Sequence, residues 1–475
     1  MKKLSELYDI NDDTIIKDIK INSKDVDEGD LFICTMVVNA DRHDFIDDAI
    51  KNGAVALVVS RDGINVSVPV IKVENTNEEL PKLCKKFYDN PQDKLVMYGI
   101  TGTDGKTSTA TIIQKLIGND KMGYIGTNGR SCSKFKRDTA NSTPDSDKLY
   151  KYFREFLDAG CSSVVMEATS EAFYRGRLKG LEYDVAVITN ITREHLNIHK
   201  TFENYIECKC QLFKQVKKDG YSILNHDDEL YETVRKACTS KVLTYGKSSD
   251  NDLVIKEFEI KPNGTLITYS YQGKDYHVKS PLLGEFNVYN LAAAILACLC
   301  RGYDMNTLID NLDGVFIDGR MELLDTNTPY YVMVDYAHTP NGISNLLKFV
   351  HTLDINRSIV VIGSAGERDK GKRPIMGKTV LDNASYAIFT YEDPRSEDPR
   401  DIINDLVSDV KDYDNYEIVV DRHDAIKRAI DMAKDKDIVL ILGKGNETYQ
   451  KLKDKVIYFN DVEEAYNAVK ERENL

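Results

Sequence analysis

Short apolar runs rich in β-branched residues recur along the chain, separated by longer stretches with helical spacing. In residues 1–93 the runs Asp30–Cys34, Ala54–Ser60 and Val68–Val73 read as strands, with Phe45–Gly53 as a helix between them. Asn90-Pro91 is turn chemistry and marks a boundary. A second pattern starts at Lys94. Leu95–Ile100 reads as a buried strand, Lys106–Ile117 as a helix, and Ser163–Glu167 and Asp184–Thr189 as further strands, which predicts a parallel sheet with helical crossovers. From Lys241 to Val278 alternation such as Leu266-Ile267-Thr268-Tyr269-Ser270 predicts antiparallel strands, followed by a buried helix over Asn287–Leu299. A third set, Tyr331–Tyr336, Ser358–Gly363, Tyr386–Thr390 and Asp437–Gly443, again predicts parallel strands. The fold class is therefore α/β in three domains, at 1–93, 94–318 and 319–475.

Length and composition fit that division. The 475 residues correspond to about three domains at roughly 150 residues each, and 42% hydrophobic content suffices for real cores. The net charge of −14, without a basic run carrying aromatics, excludes nucleic acid as the expected partner, because phosphate neutralisation needs a basic face. Nine cysteines show no CxxC pair; Cys208 and Cys210, like Cys298 and Cys300, lie in helix-like stretches and read as reduced thiols packed as small apolar groups. The opening MKKLSELYDINDD lacks the apolar core of a signal peptide, and no apolar run reaches the ~20 residues of a membrane span. A cytoplasmic location without membrane insertion is expected.

The candidate chemistry begins where Leu95–Ile100 runs into Thr101-Gly102-Thr103-Asp104-Gly105-Lys106-Thr107-Ser108. Glycines there let backbone N–H groups approach phosphate oxygens, and the following helix adds its dipole. Lys106 can reach the β and γ phosphates, and the Thr107 hydroxyl can bind Mg²⁺. The GxxxxGK[ST] pattern is not met in full, since Ile100 holds its first glycine position. The loop does not choose between kinase, GTPase, ATPase and ligase, although HRD, DFG and NKxD are all missing. Glu167 ends a strand at the carboxyl edge of the sheet, where it reads as a Mg²⁺ ligand or as a solvated acid. His195 and His199, at i and i+4, read as metal ligands sharing a helix face or as satisfied histidines. Lys209 reads as a solvated helix lysine.

Taken together, NSKDVDEGDLF, GITGTDGKTST, NSTPDS, MEATSEAF, TNITREHLNIH, YIECKCQLF, GEFNVYNLAAA, GRMELL, VDYAHTPNGI, ERDKGKRPIMG, EDPRSEDP and GKGNETYQ resemble the Mur ligase family over essentially the whole chain. Within it they resemble the UDP-N-acetylmuramoyl-tripeptide synthetases, which add the third peptide residue in peptidoglycan synthesis. The resemblance implies a UDP-substrate-binding N-terminal domain, a central P-loop ATPase domain and a C-terminal Rossmann-like domain that brings the amino acid. It implies an acid–amino-acid ligase that uses ATP and Mg²⁺, acts as a monomer and passes through an acyl phosphate.

By resemblance, Gly102, Thr103, Asp104, Gly105, Lys106, Thr107 and Ser108 bind ATP, with Asn290, Arg320, Asp335 and His338 on the ATP side. Thr107, Glu167 and His195 hold metal, and Lys209 matches a lysine that is carbamylated and thereby becomes a metal ligand. Lys106, Glu167, His195 and Lys209 form the catalytic set. Ser142, Thr143, Ser170 and Arg177 contact the muramoyl substrate and Ser23 its UDP part. Arg368, Glu392, Asp393, Pro394, Arg395, Gly443 and Glu447 contact the amino acid. An arginine fork such as Arg395 suits the distal carboxylate of meso-diaminopimelate. Several positions depart from the usual pattern: Glu392-Asp393 stands for Asp-Asn, Glu171 for a histidine, Asn446 for a histidine and Arg42 for a glycine. The added acids also suit L-lysine or ornithine. A folylpolyglutamate synthetase-like ligase and a catalytically inactive nucleotide-binding regulator are the competing readings.

Overall fold

The computed structural model describes residues 1–37, 40–261 and 264–473. Three α/β units follow one another, each on its own sheet. The first sheet has Ile19–Lys20, Leu31–Ile33, Ala56–Val59 and Val70–Lys72, all parallel and in that order. The Thr76–Phe87 helix is amphipathic, and its Asn75 cap accepts from the amides of Asn77 and Glu78.

Among the described residues the second sheet has eleven strands. Val96–Thr101 lies between Ser163–Glu167 and Tyr183–Ile188, parallel to both, so three strand ends converge at one carboxyl edge. These strands are apolar on both faces because helices cover both. Glu285–Leu299 is buried from Leu291 to Cys298 and packs along the Lys106–Ile117 helix, so its all-round hydrophobicity marks a core helix. Antiparallel pairing joins Leu253–Lys261, Gly264–Tyr271 and Lys274–Ser280 at one end of the sheet, and Met122–Gly126, Gly129–Cys132 and Phe135–Arg137 at the other. Lys241–Gly246, expected to be antiparallel, is parallel to both of its neighbours. The Tyr231–Ala237 helix supplies the crossover that parallel pairing requires.

The third sheet is parallel through Tyr331–Asp335, Ile438–Leu442, Ser358–Ile362, Tyr386–Phe389 and Tyr416–Ile418, in that spatial order. A fully buried Arg422–Asp461 pair (2.6 Å) ties its C-terminal helix to the sheet through the Leu442 carbonyl. All nine cysteines are free thiols, as expected. Among the described residues no helix is long and apolar enough to cross a membrane.

Candidate active site

The phosphate loop is shaped by two left-handed glycines. Gly102 (φ +146°) packs on Thr189, where a Cβ would collide with the hydroxyl, and Gly105 (φ +82°) caps the Lys106–Ile117 helix. Lys106 folds back so that Nζ donates to the carbonyls of Gly102 (3.0 Å) and Thr103 (2.8 Å). Burial pushes its ammonium below the ordinary lysine range, against the opposing pull of Glu167 and Asp104.

Glu167 is buried without a cationic partner among the described residues. Its Oε1 accepts from Thr107 Oγ1 (2.8 Å), Tyr124 Oη (2.9 Å) and the Thr127 amide (2.8 Å), and Oε2 accepts from Thr127 Oγ1 (3.1 Å). A buried carboxylate held only by neutral donors, with a threonine hydroxyl beside the phosphate loop, fits Mg²⁺. Among the described residues no three His, Cys, Asp or Glu side chains cluster as a closed protein cage. That suits a cation which takes one or two protein carboxylates and fills much of its shell with phosphate and water.

The two histidines do not share a helix face. His195 precedes the Leu196–His199 helix in the left-handed region (φ +57°) and lines the cleft, whereas His199 is buried with Nε2 3.1 Å from Ser170 Oγ. Burial and then Lys106 push the His195 imidazole well below its ordinary range, so a neutral ring is available as a ligand.

Lys209 is not solvated. It is 1% exposed, its Nζ donates to the Gly102 carbonyl (2.5 Å), and it stands 4.4 Å over the Tyr205 ring. The same helical face of Phe202–Lys214 buries Tyr205, Leu212 and Phe213, which carries Lys209 inward with them. Burial and then Lys106 drive its pKa far down.

Tyr205 and Glu194 are among the site residues not picked out from the sequence. Tyr205 Oη meets Thr103 Oγ1 (2.9 Å), and its ring lies against His195 and His199. Glu194 pairs with Lys372 of the third unit (3.0 Å). The signal for Tyr205 lay in its i+4 spacing to Lys209; Glu194 carried none.

A cleft of about 1310 Å³ between the second and third units gathers most of the expected residues. Ser142, Thr143, Ser170 and Arg177 line one wall, with Arg177 Nη1 donating to the Thr143 carbonyl (3.2 Å). Asn290, Arg320, Asp335 and His338 also line the cleft, Arg320 reaching to 3.4 Å from Thr107 Oγ1. Asp335 accepts the amides of Met321 and Ala337, both at 2.7 Å. Asp104 accepts from Thr339 (3.2 Å) and Asn341 (3.3 Å), so the third unit docks directly on the phosphate loop. Arg368, Glu392, Asp393, Arg395, Gly443 and Glu447 form the far wall. Gly102, Lys209 and Pro394 lie behind the lining, and Ser23 sits buried in the first unit, away from the cleft.

Lys444 organises the acids of that far wall. It is fully buried and bonds both Asp393 Oδ1 and Glu447 Oε2 at 2.9 Å. Burial opposes its charge, but Glu447 and Asp393 outweigh it and hold its pKa above the ordinary value. Glu392 has no side-chain donor among the described residues and faces the cleft, its pKa raised by burial.

A parallel sheet, a glycine-capped phosphate loop at its carboxyl edge and a cleft closed by a Rossmann-like unit define a P-loop nucleotide-binding protein. Sequence comparison places this more narrowly. Residues 15–88 match the Mur ligase family catalytic domain, 100–298 the Mur ligase middle domain and 319–445 the Mur ligase glutamate ligase domain. The UDP-N-acetylmuramoyl-L-alanyl-D-glutamate–2,6-diaminopimelate ligase of Geobacillus thermodenitrificans is 38% identical over 96% of this chain and 95% of its own length. The enzyme of that name from Bacillus cereus is 39% identical over 97% and 95%. A solved structure of a UDP-N-acetylmuramoyl-L-alanyl-D-glutamate–2,6-diaminopimelate ligase superposes with a TM-score of 0.67 at 29% identity, covering 99% of each chain. The MurF ligase of Thermotoga maritima in complex with ADP shares the fold (TM-score 0.68, 20% identity, 97% and 98% covered). The chain belongs to the Mur ligase family.

Proposed function

We propose that this chain is an ATP-dependent amide ligase that adds meso-diaminopimelate to UDP-N-acetylmuramoyl-L-alanyl-D-glutamate in peptidoglycan synthesis. The names of relatives 38–39% identical over nearly the whole chain support the reaction. In this reading residues 1–93 hold the UDP part, 94–318 hold ATP and 319–475 bring the amino acid. The chain works in the cytoplasm as a monomer.

The glutamate carboxylate of the bound dipeptide attacks the γ-phosphorus and ADP leaves, forming an acyl phosphate. The amine then attacks the acyl carbon and phosphate leaves with the bonding pair. Thr107, Glu167 and His195 would hold Mg²⁺, which would supply charge neutralisation at the phosphoryl group. Lys106 stabilises the transferring phosphoryl group, and Ser142, Thr143, Ser170 and Arg177 orient the carboxylate.

The observation that carries the choice of amino acid is the Lys444 pair. Asp393 occupies the place of a neutral residue, yet Lys444 bonds it together with Glu447 and offsets one of their two charges, so the extra acid is engaged inside the wall. Arg395 stays available for a distal carboxylate and Glu392 for the ammonium beside it. Phosphate release with ATP, Mg²⁺ and the UDP-dipeptide, comparing meso-diaminopimelate, L-lysine and L-ornithine, tests this. A strong preference for diaminopimelate is expected. Preference for a basic amino acid would transfer specificity to Glu392, and no activity with any of the three would favour a regulatory protein.

Arg395→Ala gives a sharper reading. Losing a charge-assisted bidentate bond costs about 2–3 kcal/mol, roughly 30- to 150-fold in KM for diaminopimelate. An equal rise for lysine would refute the assignment.

A further inference from the structure

Arg368 and Arg395 reach the cleft on two separate loops, which follow the Ser358–Ile362 and Tyr386–Phe389 strands. Each loop contains a non-glycine residue in left-handed backbone, Glu367 at φ +58° and Arg395 at φ +54°. Side-chain-bearing residues persist there only where their surroundings impose it.

The imposing structure lies behind the cleft. Arg373 is fully buried in the first turn of the Arg373–Asn383 helix. It donates from Nη1 to Glu397 Oε2 (3.0 Å), and from Nη2 to Glu397 Oε1 (3.2 Å) and the Ala365 carbonyl (3.1 Å). Glu397 Oε1 also accepts the Glu367 amide (2.5 Å). A return link runs from the Ser396 amide (3.3 Å) and hydroxyl (2.5 Å) to Glu367 Oε1. The Gly366 amide bonds the Asp393 carbonyl (2.8 Å), and a Cβ on Gly366 would strike the Pro394 carbonyl. Arg373, Glu397, Glu367 and Ser396 are all absent from the cleft lining.

We propose that the Arg373–Glu397 fork is the positioning element of amino-acid selection, joining the two loops so that Arg368 and Arg395 hold a fixed separation. It rests on the reading of those two arginines as amino-acid contacts. A fork-to-fork pair fixes orientation as well as distance, where a single bond would act as a hinge. Recognition of a planar carboxylate depends on that orientation being set before binding. Arg373 also bonds Asp405 (2.9 Å) on the Pro399–Leu406 helix, which anchors the fork to the body of the domain.

The Glu397 carboxyl stays ionised under assay conditions. Burial acts to raise the Glu397 carboxyl, but Arg373, the Glu367 amide and Lys370 outweigh it and hold it down to about 2. A depressed carboxylate contributes stability above its unfolded value and loses it only as pH falls towards its folded value. The fork is therefore intact throughout the neutral range.

The test uses the full chain with ATP, Mg²⁺ and the UDP-dipeptide, and compares wild type, Glu397→Gln and the milder Glu367→Gln at an exposed position. Three quantities are read: KM and kcat for diaminopimelate, the same for L-lysine, and hydroxamate formed when hydroxylamine traps the acyl phosphate. In Glu397→Gln, KM for diaminopimelate should rise about tenfold or more while hydroxamate formation holds at the wild-type rate and KM for lysine barely moves. Glu367→Gln should move KM in the same direction by less, and it decides the matter if Glu397→Gln does not fold. An unmoved KM for diaminopimelate overturns the proposal. So does a parallel rise for lysine, or a joint fall of kcat, hydroxamate and Tm, which would mark a merely structural pair. A wild type indifferent to the distal carboxylate sinks the reading of Arg368 and Arg395 and this proposal with it.

Discussion

Lys106→Ala is expected to reduce turnover at saturating ATP by at least about 10²–10³-fold, with a smaller rise in KM for ATP. Phosphoryl transfer leaves the protein little covalent chemistry to do, so catalysis is positioning and charge stabilisation. A preorganised donor in a site that excludes water is worth about 3–4 kcal/mol to the transition state, and Lys106 carries a full charge. No neighbour replaces it. Lys209 Nζ approaches the same Gly102 carbonyl (2.5 Å) from behind the loop, outside the cleft lining. The variant should still fold, because Gly102 keeps its bond to Lys209. Phosphate release with the UDP-dipeptide and diaminopimelate measures the loss. An unchanged kcat would mean that the phosphates bind elsewhere.

What the sequence revealed of this site follows from the range of the forces involved. The Lys106–Ile117 helix and the Ser163–Glu167 strand have the ends expected of them, because glycine caps and β-branched runs are local signals. The parallel course of Lys241–Gly246 was not legible, since alternation reports burial of one face and not the direction of a neighbour. Lys209 was misread although its signal was present. It lies four residues after Tyr205 and three before Leu212, on the apolar face, and the solvated reading weighed residue type above position. His195 and His199 show the opposite failure. Their spacing suggested a shared face, but the left-handed backbone at His195 starts the helix after it. The charge of Asp393 could not be judged without Lys444, 51 positions away in sequence and 2.9 Å away in space. Glu194 and Lys372, 178 positions apart, were invisible for the same reason. The family motifs brought in residues such as Arg395 and Arg320 that no local pattern singles out.

Lys209→Ala should also lose most of its activity, by about 10²-fold or more, and for a different reason from Lys106→Ala. A buried lysine close to a second cation holds its proton poorly, and only the neutral amine can add carbon dioxide. Both conditions hold at Lys209, with Lys106 bonded to the same carbonyl and burial nearly complete. Addition of carbon dioxide to that neutral amine forms a C–N bond at the expense of one C=O π bond, releases one proton and leaves a carbamate anion (two protons in all from the ammonium), which fits the family role of a metal-binding group. The alanine variant removes that anion and leaves space where a small carboxylate can enter. Formate or acetate should therefore restore part of the rate in Lys209→Ala and none in Lys106→Ala. Labelled bicarbonate should give a carbamate carbon signal in wild type that is missing in the variant. Near-full activity of Lys209→Ala without supplement would remove the carbamate from the mechanism. Loss of activity with neither rescue nor a labelled carbon would instead make Lys209 a support for the phosphate loop, acting through its bond to Gly102, and would leave Thr107, Glu167 and His195 as the whole protein share of the metal site.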